Sequence, residues 1–317
     1  MKLAFIIDRL ESIKTSKDSS FAMICEAASR NHEIHVLYQE DIIWKNGVVI
    51  GLSCALTLTE NLNQDGRWYK TGSVVTTPLR EFDAVLMRKD PPFNMEYIYS
   101  TYLLELAERQ GAYVINSASS IRNYNEKLAI TKFPQFITST LVTSQIPLIR
   151  EFLAEYQDII LKPLDGMGGA SVFRVHDADH NIAVILETLT NYGTRSIMAQ
   201  RFIPEIAQGD KRIILIAGKT APYSLARIPK PGETRGNLAA GGTGIAQPLS
   251  ERDKEIAESL GPVLFDQGLM LVGLDVIGDY LTEINVTSPT GMQEIKKLTG
   301  FNVAGMMIDA IEGSLKQ

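Results

Sequence analysis

Four stretches of the chain set out side chains at spacings that suit chemistry on phosphates and carboxylates. The first is Leu274-Asp275-Val276-Ile277-Gly278-Asp279-Tyr280-Leu281-Thr282-Glu283-Ile284-Asn285, two runs about a glycine turn. If the loop is the three residues Gly278 to Tyr280, Asp275 falls opposite Glu283 and Asn285 follows on the same face. Leu274, Val276 and Ile284 then share the core-facing side, whereas a two-residue loop would put Asp275 and Glu283 on opposite faces. Two carboxylates and an amide oxygen on one face suit magnesium, a hard ion that takes a few carboxylates plus substrate phosphates. A solvated polar face is the bland alternative, but neighbouring carboxylates on a strand repel unless a cation neutralises them.

The second stretch runs Ile159-Ile160-Leu161-Lys162-Pro163-Leu164-Asp165-Gly166-Met167-Gly168-Gly169-Ala170-Ser171. Strand alternation turns Lys162 away from Ile159 and Leu161 and into a cleft, and the glycines let backbone N–H groups approach phosphate oxygens. It is not a P-loop, since no Lys-Ser or Lys-Thr follows. It is not the dinucleotide fingerprint either, because Ser171 replaces the third glycine and a strand follows. A flap between two strands fits, with a glycine-rich hairpin and a surface lysine as the competing reading. In the third stretch, taking Gly218-Lys219 as a two-residue turn pairs 212 with 225 and 210 with 227, so Arg212 and Arg227 share a face. Two guanidiniums beside an acid make a bidentate carboxylate or phosphate site; a cross-strand pair of Asp210 with Arg227 is the structural alternative, and the two are compatible. The fourth, Gly232 to Gly244, carries five glycines and few large apolar residues. It reads as a mobile lid that closes over a reactive intermediate, against a passive linker.

The elements that must position these groups can be read from periodicity. Leu3 to Ile7, Ile34 to Leu37, Ala84 to Met87 and Ala112 to Ile115 read as strands. Phe21, Ile24, Cys25 and Ala28 mark one face of a helix with Ser20 at its N-cap, and Tyr99, Tyr102, Leu103 and Leu106 a second helical stripe ended by Gly111. Alternation of this kind predicts a doubly wound parallel domain over residues 1–122, with Arg88, Lys89 and Asp90 at the carboxyl end of a strand, where ligands bind. Residues 123–202 predict a small antiparallel lobe: a helix around Glu126 to Phe133, then strands Asp158 to Leu164 and Ser171 to Val175. Residues 203–317 predict an α+β domain with two hairpins, a helix around Glu251 to Phe265 and a terminal helix. No solenoid repeat is present, so function belongs in clefts between lobes.

Composition narrows the function classes. The chain has 317 residues, 45% apolar and 21% charged, with a net charge of -6. It should fold throughout as two or three domains, and the acidic balance gives no general attraction to nucleic acid or anionic membranes. Two cysteines, Cys25 and Cys54, are too few for a disulfide framework and suggest a reducing cytoplasm. The first apolar run stops at Asp8 and Arg9, too short for a membrane span.

These segments together resemble bacterial glutathione synthetases of the ATP-grasp superfamily. The resemblance rests on Asp18-Ser19-Ser20-Phe21-Ala22-Met23, Met87-Arg88-Lys89-Asp90-Pro91-Pro92-Phe93, Asn125-Glu126-Lys127-Leu128, the Ile160 to Ser171 flap and Thr282-Glu283-Ile284-Asn285-Val286-Thr287-Ser288-Pro289. It implies an ATP-grasp architecture in which two α+β lobes clamp ATP behind the N-terminal doubly wound domain. By family analogy, Lys127, Lys162 and the flap residues Gly166, Gly168, Gly169, Ala170 and Ser171 contact nucleotide phosphates. Gln200, Arg201, Phe202 and Ile203 line the adenine slot, with Asp210 also on the nucleotide side, and Asp275, Glu283 and Asn285 hold Mg2+ or Mn2+. Arg212, Arg227, Arg235, Asn237 and Ser288 face peptide, glycine or the transferring phosphate, and Arg88 and Asp90 help close the peptide site. The implied reaction joins γ-glutamylcysteine to glycine through an acylphosphate, with no protein nucleophile, in a homotetramer that contacts neither nucleic acid nor membrane. Other ATP-grasp carboxylate–amine ligases, of the D-alanine or glutamate type, a kinase, and a non-catalytic ATP-binding module are the alternatives. The chain has no HRD-type or DFG segment, and a pure binding site has no use for transition-state donors.

Overall fold

The computed structural model describes residues 1–59, 67–233, 235–236 and 241–316. The first sheet is built from β1 (Lys2–Ile6), β2 (Glu33–Leu37), β3 (Ile42–Lys45), β4 (Val48–Leu58), β5 (Tyr69–Pro78), β6 (Ala84–Met87) and β7 (Val114–Ile115), with helices α1 (Ser19–Ser29) and α2 (Met95–Arg109) packed on it. Its order is β3-β4-β2-β1-β6-β7, with β5 on β4. The pairs β1/β2, β1/β6 and β6/β7 are parallel, as periodicity predicts, and the apolar strands β1 and β6 are buried throughout. The antiparallel extension β3 to β5 was not legible from the apolar runs. It starts at the Asn46-Gly47 turn, where both residues have positive φ (51° and 87°), the conformation a tight hairpin requires.

Two helix readings need correction. Helix α1 is capped by Asp18, whose carboxylate accepts from Phe21 N at 2.7 Å, so Ser20 lies inside the helix and is buried. In α2 the buried face is Tyr97, Ser100, Thr101, Leu104 and Ala107, while Tyr99, Tyr102 and Leu106 are exposed. The buried face mixes the large Tyr97 and Leu104 with Ser100, Thr101 and Ala107, so an apolar stripe alone does not mark it.

After α3 (Ala118–Asn123) the predicted helix around Glu126 to Phe133 is instead a pair of 3-10 turns, Leu128–Lys132 and Pro134–Phe136. Asn125 accepts from Leu128 N and starts the first turn, and Pro134 prevents its continuation. The second sheet has the order β10-β9-β11-β8, from β8 (Thr140–Thr143), β9 (Asp158–Pro163), β10 (Phe173–His176) and β11 (Ile197–Arg201), all antiparallel. Helices α4 (Ile146–Tyr156) and α5 (Ile182–Thr190) cover one face through Ile149, Leu153, Leu186 and Leu189, packed on Ile159 and Leu161. Lys162 is thereby directed to the other face.

The third sheet has the order β15-β14-β12-β16-β17, with β13 on β12. Its strands are β12 (Asp210–Ile216), β13 (Lys219–Thr220), β14 (Tyr223–Ile228), β15 (Thr243–Pro248), β16 (Leu271–Ile277) and β17 (Tyr280–Asn285). Helices α6 (Glu251–Asp266), α7 (Met292–Thr299) and α8 (Val303–Ser314) accompany it. Both predicted turns are misplaced, and both predicted far pairings hold. Ile277 pairs with Tyr280 about a two-residue Gly278-Asp279 loop, which alone would set Asp275 against Thr282. A bulge at Thr282 adds one residue and restores Asp275 opposite Glu283. In the other hairpin the turn is Ala217-Gly218, at φ 48° and 74°, with Ile216 opposite Lys219. Two extra residues between Ala221 and Leu225, beside Pro222, then bring Arg212 opposite Leu225 and Asp210 opposite Arg227.

Candidate active site

A cleft of about 840 Å³ opens between the second and third sheets. Its lining carries the polar side chains Lys127, Lys162, Asp210, Asp275 and Glu283, together with the apolar Ile160, Phe202, Ile203, Ile206 and Ile277 beside Gln200 and Arg201. The flap residues Gly166, Gly168, Gly169 and Ala170 form its roof, whereas Ser171 stands outside the lining at φ 57°. Gly168 takes φ 62° with open space where a Cβ would sit, so conformation and not crowding calls for glycine there.

The two lysines are buried and tethered by backbone. Lys162 Nζ donates to the carbonyl of Thr282 at 3.3 Å, the carbonyl that the bulge presents. Lys127 Nζ donates to the carbonyl of Gly166 and pairs with Glu283 at 3.1 Å, so it links the flap to β17. Burial pulls the Lys162 ammonium down to about 8 against the attraction of Glu283. Gln200 is fixed by its amide donating to Thr140 Oγ1 at 3.0 Å, and Arg201 Nε donates to Thr138 Oγ1 at 3.2 Å.

A second cleft of about 850 Å³ lies on the other side of the flap, and Gly168 lines both. Arg212 and Arg227 share its wall with Asp90, Glu126, Asn285 and Ser288. At the seam, Arg212 donates twice to Asp275, at 2.5 and 2.9 Å, and Arg227 reaches the same carboxylate at 2.9 Å while also pairing with Asp210. Burial would raise Asp275, but the two guanidiniums outweigh it and hold the carboxyl well below the usual range. Asp210, buried beside Asp275 and Glu283, is pushed up to about 7 despite Arg227, and its Oδ1 has no hydrogen-bond partner among the described residues. Each arginine therefore has its plane set by an acid beneath it.

The remaining sequence candidates are placed as follows. Asp90 lines the second cleft, its carboxyl raised by burial against a hydrogen bond from Ser288. Arg88 is 4% exposed and does not line that cleft. It donates to Ser20 Oγ and to the carbonyls of Thr287 and Pro289, at 3.2, 3.4 and 3.0 Å. Arg235 lines the first cleft and pairs with Glu233, with a long contact to the carbonyl of Gly169 at 3.5 Å that brings lid to flap. Asn237 lies outside the described residues. Glu126 and Thr282 carry no sequence signal of a role, and their part emerges only from the loop that Glu126 holds and the bulge at Thr282.

For a metal, Glu283 offers the first cleft a carboxylate with one oxygen on Lys127, and Asn285 Nδ2 donates to the carbonyl of Gly273 at 3.1 Å, which orients the amide. Asp275 has both oxygens on arginines. No group of three or more His, Cys, Asp or Glu side chains suited to a metal occurs among the described residues. The donors present are hard oxygens, and they fit a divalent ion that takes its other ligands from phosphate.

The model of the prokaryotic glutathione synthetase N-terminal domain matches residues 1–122, and that of the prokaryotic glutathione synthetase ATP-grasp domain matches residues 126–300. A glutathione synthetase of Nitrosomonas europaea is 68% identical over 99% of this chain and 98% of its own length. One from Ralstonia nicotianae is 56% identical over 98% and 95%. Among solved structures, D-cycloserine synthetase DcsG aligns with a TM-score of 0.68 over 99% of both chains at 13% identity. The ATP-grasp ligase PsnB with its precursor peptide and AMPPNP aligns at 0.64 over 99% and 98%, at 17% identity. These two likenesses carry the ATP-grasp fold. No helix among the described residues is long and apolar enough to cross a membrane.

Proposed function

The chain belongs to the prokaryotic glutathione synthetase family, ATP-dependent ligases that make glutathione, and from that premise we propose how its two clefts divide the reaction. ATP occupies the cleft between the second and third sheets, its adenine against Phe202, Ile203 and Ile206 and its phosphates toward Lys127, Lys162 and the N–H groups of the flap. γ-Glutamylcysteine and glycine occupy the second cleft, their carboxylates on Arg212 and Arg227. The single observation that carries the assignment is that Gly168 and the Arg212–Asp275–Arg227 cluster lie where the clefts meet, so a carboxylate in one faces a phosphate in the other.

Asp275, Glu283 and Asn285 would hold Mg2+, which when bound screens phosphate charge. The chain's own groups do the rest. Lys127 and Lys162 draw the γ-phosphate into line and neutralise the leaving ADP, and the dipeptide carboxylate takes the phosphoryl group to give an acylphosphate. Glycine attacks the acyl carbon as the neutral amine. Arg212, Arg227 and flap N–H groups receive the oxyanion, and phosphate leaves with the electron pair of the broken C–O bond and takes up the proton that the amide nitrogen sheds. Arg235, brought against the flap by the lid, closes the site to water. The two free cysteines accord with a cytoplasmic enzyme; Cys25 is an inert thiol whose pKa burial raises to about 11. We assign it a homotetrameric state, which sedimentation would test.

The direct test is incubation with ATP, Mg2+ and γ-glutamylcysteine, with and without glycine, reading ADP and thiol products by mass. The assignment requires glycine-dependent ADP release matched by glutathione. Turnover with another amine in preference to glycine would overturn it in favour of a different carboxylate–amine ligase.

A further inference from the structure

The segment Val286–Pro289 carries Thr287 and Ser288, which line the second cleft, with Asn285 just before it on the same wall. Its backbone is held from both sides by buried charges that point along its polar groups. Arg88, from the carboxyl end of β6, donates to the carbonyls of Thr287 and Pro289. Glu126, from the chain that links the first sheet to the second, takes the opposite set with a single oxygen: Val286 N at 3.0 Å, Thr287 N at 3.2 Å and Thr287 Oγ1 at 2.8 Å. The carbonyl of Glu126 also accepts from Ile284 N at 2.8 Å, extending the contact along the end of β17. Its neighbours act in the same place: Asn125 Nδ2 donates to the carbonyl of Leu164 at 3.1 Å, and Lys127 ties Gly166 to Glu283.

We propose that Glu126 is a positioning residue for the dipeptide: by accepting the N–H groups of Val286 and Thr287 it sets the backbone that aims Ser288 and Asn285 into the second cleft, and it does not bind substrate itself. This rests on the assignment of the second cleft to the dipeptide. A cation on the carbonyls of Thr287 and Pro289 and an anion on the amides of Val286 and Thr287 fix the backbone on both sides of Ser288, so its side chain is presented in one orientation. What matters in Glu126 is therefore an acceptor at the right reach, not a negative charge. A residue that instead bound the ammonium of the γ-glutamyl group would need the charge.

The two roles separate on three variants, with KM for γ-glutamylcysteine, KM for ATP and kcat measured on each and thermal unfolding as the check of fold. Glu126→Gln keeps the acceptor oxygen and is expected to stay within about threefold of the parent in every constant. Glu126→Asp keeps the charge but falls short by about one methylene, and with Glu126→Ala it is expected to raise the dipeptide KM about 10- to 100-fold while ATP KM changes little. If Glu126→Ala does not fold, the order of Gln against Asp still decides. Asp near the parent with Gln impaired overturns the proposal in favour of direct ammonium binding, and an unchanged dipeptide KM in Asp and Ala overturns it outright. A misassigned second cleft has a different signature: Ser288→Ala and Arg227→Lys would then also leave the dipeptide KM unmoved.

Discussion

The two clefts that meet at Gly168 bury different cations. On the side we propose for the nucleotide the buried charges are lysines, Lys127 and Lys162, tethered to backbone carbonyls under a roof of flap glycines, while Arg201 and Arg235 stand at its less buried margin. On the other side they are arginines, Arg212 and Arg227, each locked onto Asp275. A phosphate presents charge in several directions and is served by point charges and amides; a carboxylate is planar and is matched by a fixed fork. The difference teaches that the arginine side depends on its acid, whereas the lysine side depends on burial and on a flap that can adjust.

Variants that remove one side's device sharpen this contrast. The largest effect is expected from Asp275→Ala, which strips the acid from two buried guanidiniums. Breaking such a buried pair costs about 3–5 kcal/mol, and kcat/KM should fall by about 10³-fold or more as both forks lose their planes; unfolding temperature and steady-state turnover read the two consequences. Next comes Arg227→Lys, with an expected turnover loss of about 10²-fold while ADP affinity, measured by calorimetry, holds within about threefold. Unchanged turnover would remove the fork from the mechanism. Lys162→Met should do the reverse, raising KM for ATP about 10-fold or more and leaving the dipeptide KM nearly constant, because one charge-assisted contact to phosphate is lost. The smallest expected effect is on pH. Lys162 is drawn down to about 8 in the free protein. It is charged below that value and neutral above it, so ADP affinity should weaken as pH rises from 7 to 9, and Lys162→Arg should flatten the profile.

The same contrast governs how far the sequence could be read. The nucleotide side was legible because its signals are local: Lys162 and the flap glycines sit on one strand and one loop, and alternation alone turns the lysine from Ile159 and Leu161. The arginine side needed register across three strands. Asp275 opposite Glu283 and Arg212 opposite Leu225 were anticipated, yet through turns the protein does not use, since a bulge at Thr282 and two added residues before Leu225 make up the difference. Bulges leave no periodic trace, which is why Thr282, whose carbonyl holds Lys162, stayed hidden. Arg88 illustrates the other limit. Its motif marks it for the peptide, but sequence does not say whether a guanidinium meets a ligand or a backbone, and here it donates to Ser20, Thr287 and Pro289. In the first domain the parallel strands are plain from their apolar runs, whereas the aromatic stripe of α2 marks its outer face, because its core side interrupts Tyr97 and Leu104 with Ser100 and Thr101.

The central claim is that the two clefts bring the dipeptide carboxylate onto the γ-phosphate of ATP. Turnover of γ-glutamylcysteine labelled with 18O in its cysteinyl carboxylate, with mass analysis of the released phosphate, tests it most directly. One labelled oxygen per phosphate is the predicted result, since phosphate leaves with the oxygen that attacked; phosphate free of label, with glutathione still formed, would contradict activation of that carboxylate and the account built on it.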